Sequence, residues 1–183
     1  LDHILFITAL CLRYRIQDWK KIFILVTSFT IGHSITLVLS VLGHVKMDVE
    51  WIEFLIPLTI AGTALSNLFY KHGRQHSKLS LIYFLALFFG MIHGLAYANL
   101  LLDLEGGQNL SSHLLAFNLG IEVGQLFVVA VVLLLSYIFV EKLKIGQGWW
   151  IGILSSIILL FSLKMAIERI PSIRKSTQTA IIT

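Results

Sequence analysis

Asp2, His3, His33, His93 and Glu122 stand inside stretches that otherwise read as lipid-spanning helices. An ionisable group in a bilayer costs roughly 2.5–3.5 kcal/mol on insertion scales, so such groups face a protein interior and act there. Imidazole with carboxylate is the ligand set of a borderline divalent metal: nickel, cobalt or zinc. With no thiolate among the candidates, a copper(I) site is disfavoured. Bound metal needs deprotonated ligands, so Glu122 would supply negative charge and also take protons as metal binds.

The elements that must hold these groups follow from composition. Of 183 residues, 57% are hydrophobic and 13% charged, against roughly 45–50% and 25% in a soluble domain. The mean hydropathy is +0.86. The chain is predicted to be all-α, a polytopic membrane helix bundle of about six transmembrane helices in one integral membrane domain, 1–183. The apolar segments run over 2–12, 22–45, 51–70, 79–102, 110–140 and 149–167. No alternation of apolar and polar residues suggests a barrel, so helices must satisfy the backbone. The first segment is too short to span alone, which predicts a truncated first helix with further residues before Leu1. No cleavage-site pattern follows it, so a signal peptide is not predicted. The lone Cys11 says nothing about redox compartment. The net charge of +4 falls in short loops and is no nucleic-acid signal. Pro57, inside the third segment, either loosens its helix near a polar site or is a tolerated membrane proline.

Loop charges set an orientation. Arg13, Arg15, Lys20 and Lys21 mark the first loop, Lys71, Arg74 and Lys78 the third, Lys142 and Lys144 the fifth. The second has Lys46 against Asp48 and Glu50, and the fourth has Asp103 and Glu105. The odd loops are therefore predicted inside, although Arg169, Arg174 and Lys175 in the tail oppose that placement. Trp19, Trp51, Trp149 and Trp150 mark segment ends as interfacial anchors. In this frame Asp2, His3 and Glu53 begin near the outer surface. His33 and His93 lie ~15 Å and ~14 Å down their helices. His113, Asn118 and Glu122 descend from the same side. All are expected in one half of the membrane. Thr30, His33 and Leu37 share a stripe, as do Gly90, His93, Gly94 and Tyr97, and Asn118, Glu122 and Gln125. Gly32, Gly90, Gly94, Gly120 and Gly124 flank them and would allow close helix approach.

Each residue also has a structural reading. A lone intramembrane histidine such as His33 or His93 serves equally as an interhelical hydrogen-bonding group. Asp2 and His3 suit an interfacial cap, Glu53 suits the headgroups beside Glu50, and His113 reads as interfacial. His44, His72 and His76 fall in loops. Ser34, Asn67 and Asn99 read as interhelical hydrogen-bond partners. Three deep ionisable groups on separate helices favour one shared site.

The segments LDHILFITAL, FTIGHSITLVLSVLG, VEWIEFLIPLTIAGTALSNL, FFGMIHGLAYANLL and LLAFNLGIEVGQL together resemble the HupE/UreJ family of bacterial membrane proteins, from Asp2 to about Gln125. The sixth helix matches only in hydrophobicity. The resemblance implies a compact multi-helix protein of the bacterial inner (cytoplasmic) membrane. Members are named as hydrogenase or urease accessory proteins, whose enzymes use nickel, and the usual inference is nickel or cobalt uptake. Metalloenzyme maturation proteins are then possible partners, besides the lipid bilayer and the ion. Asp2-His3 also looks like the end of a His-x4-Asp-His permease motif whose first histidine would precede Leu1. The family's polar positions fall on Asp2, His3, His33, Ser34, Glu53, His93, Asn118 and Glu122.

Three functions are carried forward. The first is a transition-metal permease or metal-delivery protein, with metal ligands Asp2, His3, His33, His93 and Glu122 and with Ser34, Glu53, Asn118 and Gln125 as secondary or access residues. The second is an intramembrane zinc-dependent hydrolase acting on a lipid or amide, with Glu122 as base. The inner halves of the helices offer little polar path beyond Asn67, which suits the hydrolase. The third is a structural subunit whose histidines only join helices.

Overall fold

Backbone N–H and C=O groups in apolar surroundings must be bonded within their own segment, and a helix does this. The computed structural model describes residues 1–45, 48–69, 79–104 and 110–170, with side chains described at all of these but 79–81, 98–104 and 110–113. His72, His76 and Pro171, and the side chains of Asn99 and His113, lie outside that set. Among the described residues there are six α-helices: α1 Asp2–Cys11, α2 Trp19–Val41, α3 Val49–Leu68, α4 Leu79–Leu104, α5 Leu110–Ser136 and α6 Gln147–Glu168. A 3-10 turn, Ile16–Asp18, precedes α2, and a π-helical turn, Tyr137–Lys142, extends α5.

Among the described residues four stretches are long and apolar enough to cross a bilayer: Ile16–Val41, Val49–Leu68, Leu114–Lys142 and Gln147–Glu168. Asp2–Cys11 and the described apolar part of α4, Ile82–Tyr97, are shorter. The second helix stops before its apolar run does, and the reason is local. Gly43 takes φ 75, a conformation open to glycine. Its N–H bonds to the Ser40 carbonyl at 2.9 Å and that of His44 to Leu39 at 2.9 Å, the paired bonds of a Schellman cap.

The helices alternate in direction. Gly90 lies on the Phe29 carbonyl and Gly94 on that of His33; Gly32 lies on Leu87, and the Thr36 hydroxyl donates to the Met91 carbonyl at 2.8 Å. Both numbers rise together, so α2 and α4 run parallel and close. Asn67 Nδ2 donates to the Ala9 carbonyl at 2.7 Å, while the other end of α3 meets Asp2 through Arg169, so α1 and α3 are parallel too. Arg169 at one end of α6 and Gln147 at the other, bonded to Arg15 at 2.8 Å, make α6 antiparallel to both. Leu37 packs with Leu114 and His33 with Phe117, which sets α5 antiparallel to α2. The short α1 lies in the middle. Its Phe6, Ile7, Ala9 and Cys11 are buried with Phe29 of α2, Ile56 and Ile60 of α3, Val129 and Val132 of α5 and Ile158 of α6. That burial, with Asn67 holding its last turn, positions a helix of ten residues that would be marginal alone. Large apolar side chains such as Phe127, Trp149 and Leu160 point outward, as a lipid-facing surface requires.

Candidate metal centre

Neighbouring residues of a helix point about 100° apart, so Asp2 and His3 serve different partners. His3 turns toward α2 and α4. Its ring centre lies 5.4 Å from that of His33 and 5.1 Å from that of His93. His33 and His93 are fully buried. They meet because Gly90 and Gly94 bring α4 onto the backbone of α2 at Phe29 and His33. A Cβ at either glycine would collide with those carbonyl oxygens. Aromatic rings enclose the three imidazoles. Phe6 and Phe29 lie 5.5 and 5.1 Å from His93, and Tyr97 lies 5.5 Å from His3. Phe117 packs on His33 and on Tyr97. Leu37, Val41, Tyr97, Phe117 and Leu114 form a separate apolar cluster on the Val41 side of His33.

The ring nitrogens are largely unused by the protein. His93 Nδ1 donates to the Phe89 carbonyl at 2.8 Å. A carbonyl can only accept, so in the neutral ring Nε2 presents its lone pair. That backbone bond is the usual way a ligating histidine is oriented. His93 Nε2, His3 Nε2 and both nitrogens of His33 are buried without a hydrogen-bond partner among the described residues. Each such group costs about 1–3 kcal/mol if left unpaired. Rings bound to one ion at about 2.0–2.1 Å have centres about 5 Å apart for a tetrahedral angle, and His3 has that spacing to His33 and to His93. Their donors are not gathered on a point. Among the described residues no group of three or more His, Cys, Asp or Glu side chains is so placed that it could hold a metal ion.

The carboxylates expected beside the histidines have other partners. Asp2 Oδ2 accepts from Arg169 Nη1 at 2.9 Å, while Oδ1 is buried without a hydrogen-bond partner among the described residues. The same Arg169 nitrogen reaches the Glu53 carbonyl at 3.5 Å. Pro57 has no N–H to offer that carbonyl four residues back, so the proline frees an acceptor at the point where α1, α3 and α6 meet. Glu53 thus meets Arg169 through its backbone. Glu122 accepts from the Thr27 hydroxyl at 3.2 Å. Thr27 lies six residues from His33, about 9 Å along the axis of α2.

Among the secondary residues, Ser34 donates to the Thr30 carbonyl of its own helix at 2.8 Å and joins no other helix through that bond. Asn118 is half-buried, its Oδ1 unpartnered among the described residues. Gln125 is buried and accepts from Thr30 at 3.2 Å. Asn67 does join helices, as expected of it. In the sequence Arg169 stands out only as a tail charge opposing the orientation. The available signal was complementarity: a cation closing the last apolar segment and an acid opening the first. Thr27 carries no sequence signal of its own, because one threonine in a span is ordinary.

A comparison with curated proteins and one with solved structures gave no match. The family described as HupE / UreJ protein matches residues 1–169, which includes every residue of the cluster, Glu122 and Arg169. With its apolar helices this chain is a multi-pass membrane protein, and it belongs to the HupE/UreJ family.

Proposed function

We propose that the protein is a permease or delivery protein of the bacterial inner membrane for a divalent transition metal of the nickel or cobalt type. The observation that carries this reading is the approach of His3 to His33 and to His93, with four buried ring nitrogens unpartnered among the described residues. The cargo is a borderline cation with affinity for imidazole. It would arrive past Asp2, whose second oxygen is unpartnered among the described residues, and pass to the three rings. Delivery to enzyme maturation proteins on the far side would complete the task.

Three imidazoles with no thiolate are also a catalytic zinc set, which keeps the hydrolase reading in view. A fixed catalytic site needs donors already aimed at one position with a place left for water. Among the described residues no set of donors is so placed; transport asks instead for weak, exchangeable ligation. The interhelical-glue reading loses its basis at His33, which makes no hydrogen bond through either nitrogen among the described residues.

Uptake of radioactive nickel or cobalt into proteoliposomes tests the proposal. Wild-type protein is expected to load the vesicles, and His93→Ala to fall to the level of empty liposomes. Equal rates for both would remove the transport claim. Zinc retained in stoichiometric amount through purification would favour the hydrolase instead.

A further inference from the structure

Among the described residues two polar contacts join α2 to α5 away from the histidines, one of them through Glu122. The Thr27 hydroxyl donates to Glu122 Oε1 at 3.2 Å, and the Thr30 hydroxyl meets Gln125 Oε1 at 3.2 Å. Gln125 is 4% exposed, and its Nε2 is buried with no partner among the described residues. An amide donor buried without an acceptor is unfavourable, and the two ends of an amide are nearly alike in shape. In the flipped amide the group left without a partner is an oxygen, which a cation can satisfy. Nε2 then donates to Thr30 Oγ1, whose own hydrogen already goes to the Val26 carbonyl at 3.2 Å. The carbonyl oxygen takes the unpartnered position. A carboxylate, an amide oxygen and hydroxyls then share one seam, and all are oxygen ligands for a divalent cation.

Position gives this group its use. Thr30 lies one turn and Thr27 two turns from His33, toward the Trp19 end of α2. On α5, Glu122 is five residues beyond Phe117, the residue that packs on His33. The opposite side of the cluster is closed by Leu37, Leu114 and their apolar neighbours. An ion leaving the imidazoles along the α2–α5 seam therefore meets these oxygens next.

We propose that Glu122 and Gln125, with Thr27 and Thr30, form a second cation station, which receives the ion from the three histidines on its way across the membrane. This rests on the transport reading above. The imidazoles select the cation, and the harder, weaker oxygen set lets it go.

Nickel binding by the detergent-purified protein and nickel uptake by proteoliposomes separate the two roles. Glu122→Gln is expected to bind nickel within about twofold of wild type while uptake falls by about tenfold or more. Thr27→Val, which removes only a hydroxyl, is expected to shift the same two readouts in the same direction and serves should Glu122→Gln fail to fold. Loss of binding together with uptake, as for His93→Ala, would make Glu122 part of one site and overturn the proposal. Unchanged binding and uptake would reduce the Thr27–Glu122 contact to a helix–helix bond and overturn it equally. Wild-type protein that binds nickel but moves none would remove the transport reading itself, and the second station with it.

Discussion

At position 33 a fully buried imidazole packs against Phe29, Tyr97 and Phe117 with neither nitrogen bonded among the described residues. A side chain kept only for packing would do better as a hydrocarbon, since an unpaired buried polar group costs about 1–3 kcal/mol. His33→Leu, close in volume, is therefore expected to leave thermal stability in detergent unchanged or raised. Nickel affinity is expected to fall by about tenfold or more, because a ligand is lost. A marked drop in melting temperature would show that His33 holds helices together. The sequence pointed to His33 and His93 by their depth in apolar runs on separate helices, and the structure brings His3 to both. The acids were less legible. Sequence places Asp2 beside His3, but adjacent residues on a helix face apart, and Asp2 went to Arg169. Glu122 has the right depth for the site, yet its nearest bonded group is a threonine two turns from His33 along α2.

Between elements, two devices hold the cluster. Glycines carry the first. Gly32, Gly90 and Gly94 lie against backbone of the facing helix, and Gly120 and Gly124 meet nothing. All five flank polar residues in the sequence. The difference is angular: positions two away from Glu122 fall about 200° around the helix and turn from the seam. Arg169 carries the second device, joining the Asp2 carboxylate to the Glu53 carbonyl that Pro57 leaves free. Without it, the end of α1 that carries His3 loses its tie to α3 and α6. Arg169→Ala is expected to cost about 1.5–3 kcal/mol, the range for a hydrogen bond to a charged group, and to weaken nickel binding through His3. In thermal unfolding, Asp2→Ala with Arg169→Ala should cost less than the two separate losses together. Strict additivity would mean that the pair contributes nothing. Pro57 was open to two readings, and this tie to Arg169 favours a role in helix connection near a polar site.

Across the whole molecule, alternating helix directions set Asp2, Glu53 and Arg169 at one end and Arg13, Arg15 and Gln147 at the other. The three histidines and then Glu122 and Gln125 lie between. The helical architecture was readable from hydropathy because a bilayer leaves few ways to satisfy a backbone. Which helices touch was not, because apolar faces all around each span carry little directional information. Only glycines and polar side chains mark a contact, and some of those marks point outward. The confinement of the polar groups to one half of the membrane also reads differently once helices have ends. His93 and Glu122 fall near the middles of α4 and α5, and Thr27 lies past the middle of α2 toward its Trp19 end. At that depth the Thr27–Glu122 and Thr30–Gln125 hydrogen bonds join α2 to α5.

Crystals of the protein grown with nickel, and measured at the nickel absorption edge, would locate the ion directly. The expected result is one anomalous peak among the rings of His3, His33 and His93, with nitrogens turned toward it at about 2.0–2.2 Å. A peak bound elsewhere, with the three imidazoles unmoved and apart from it, would contradict the claim that these side chains receive the cation.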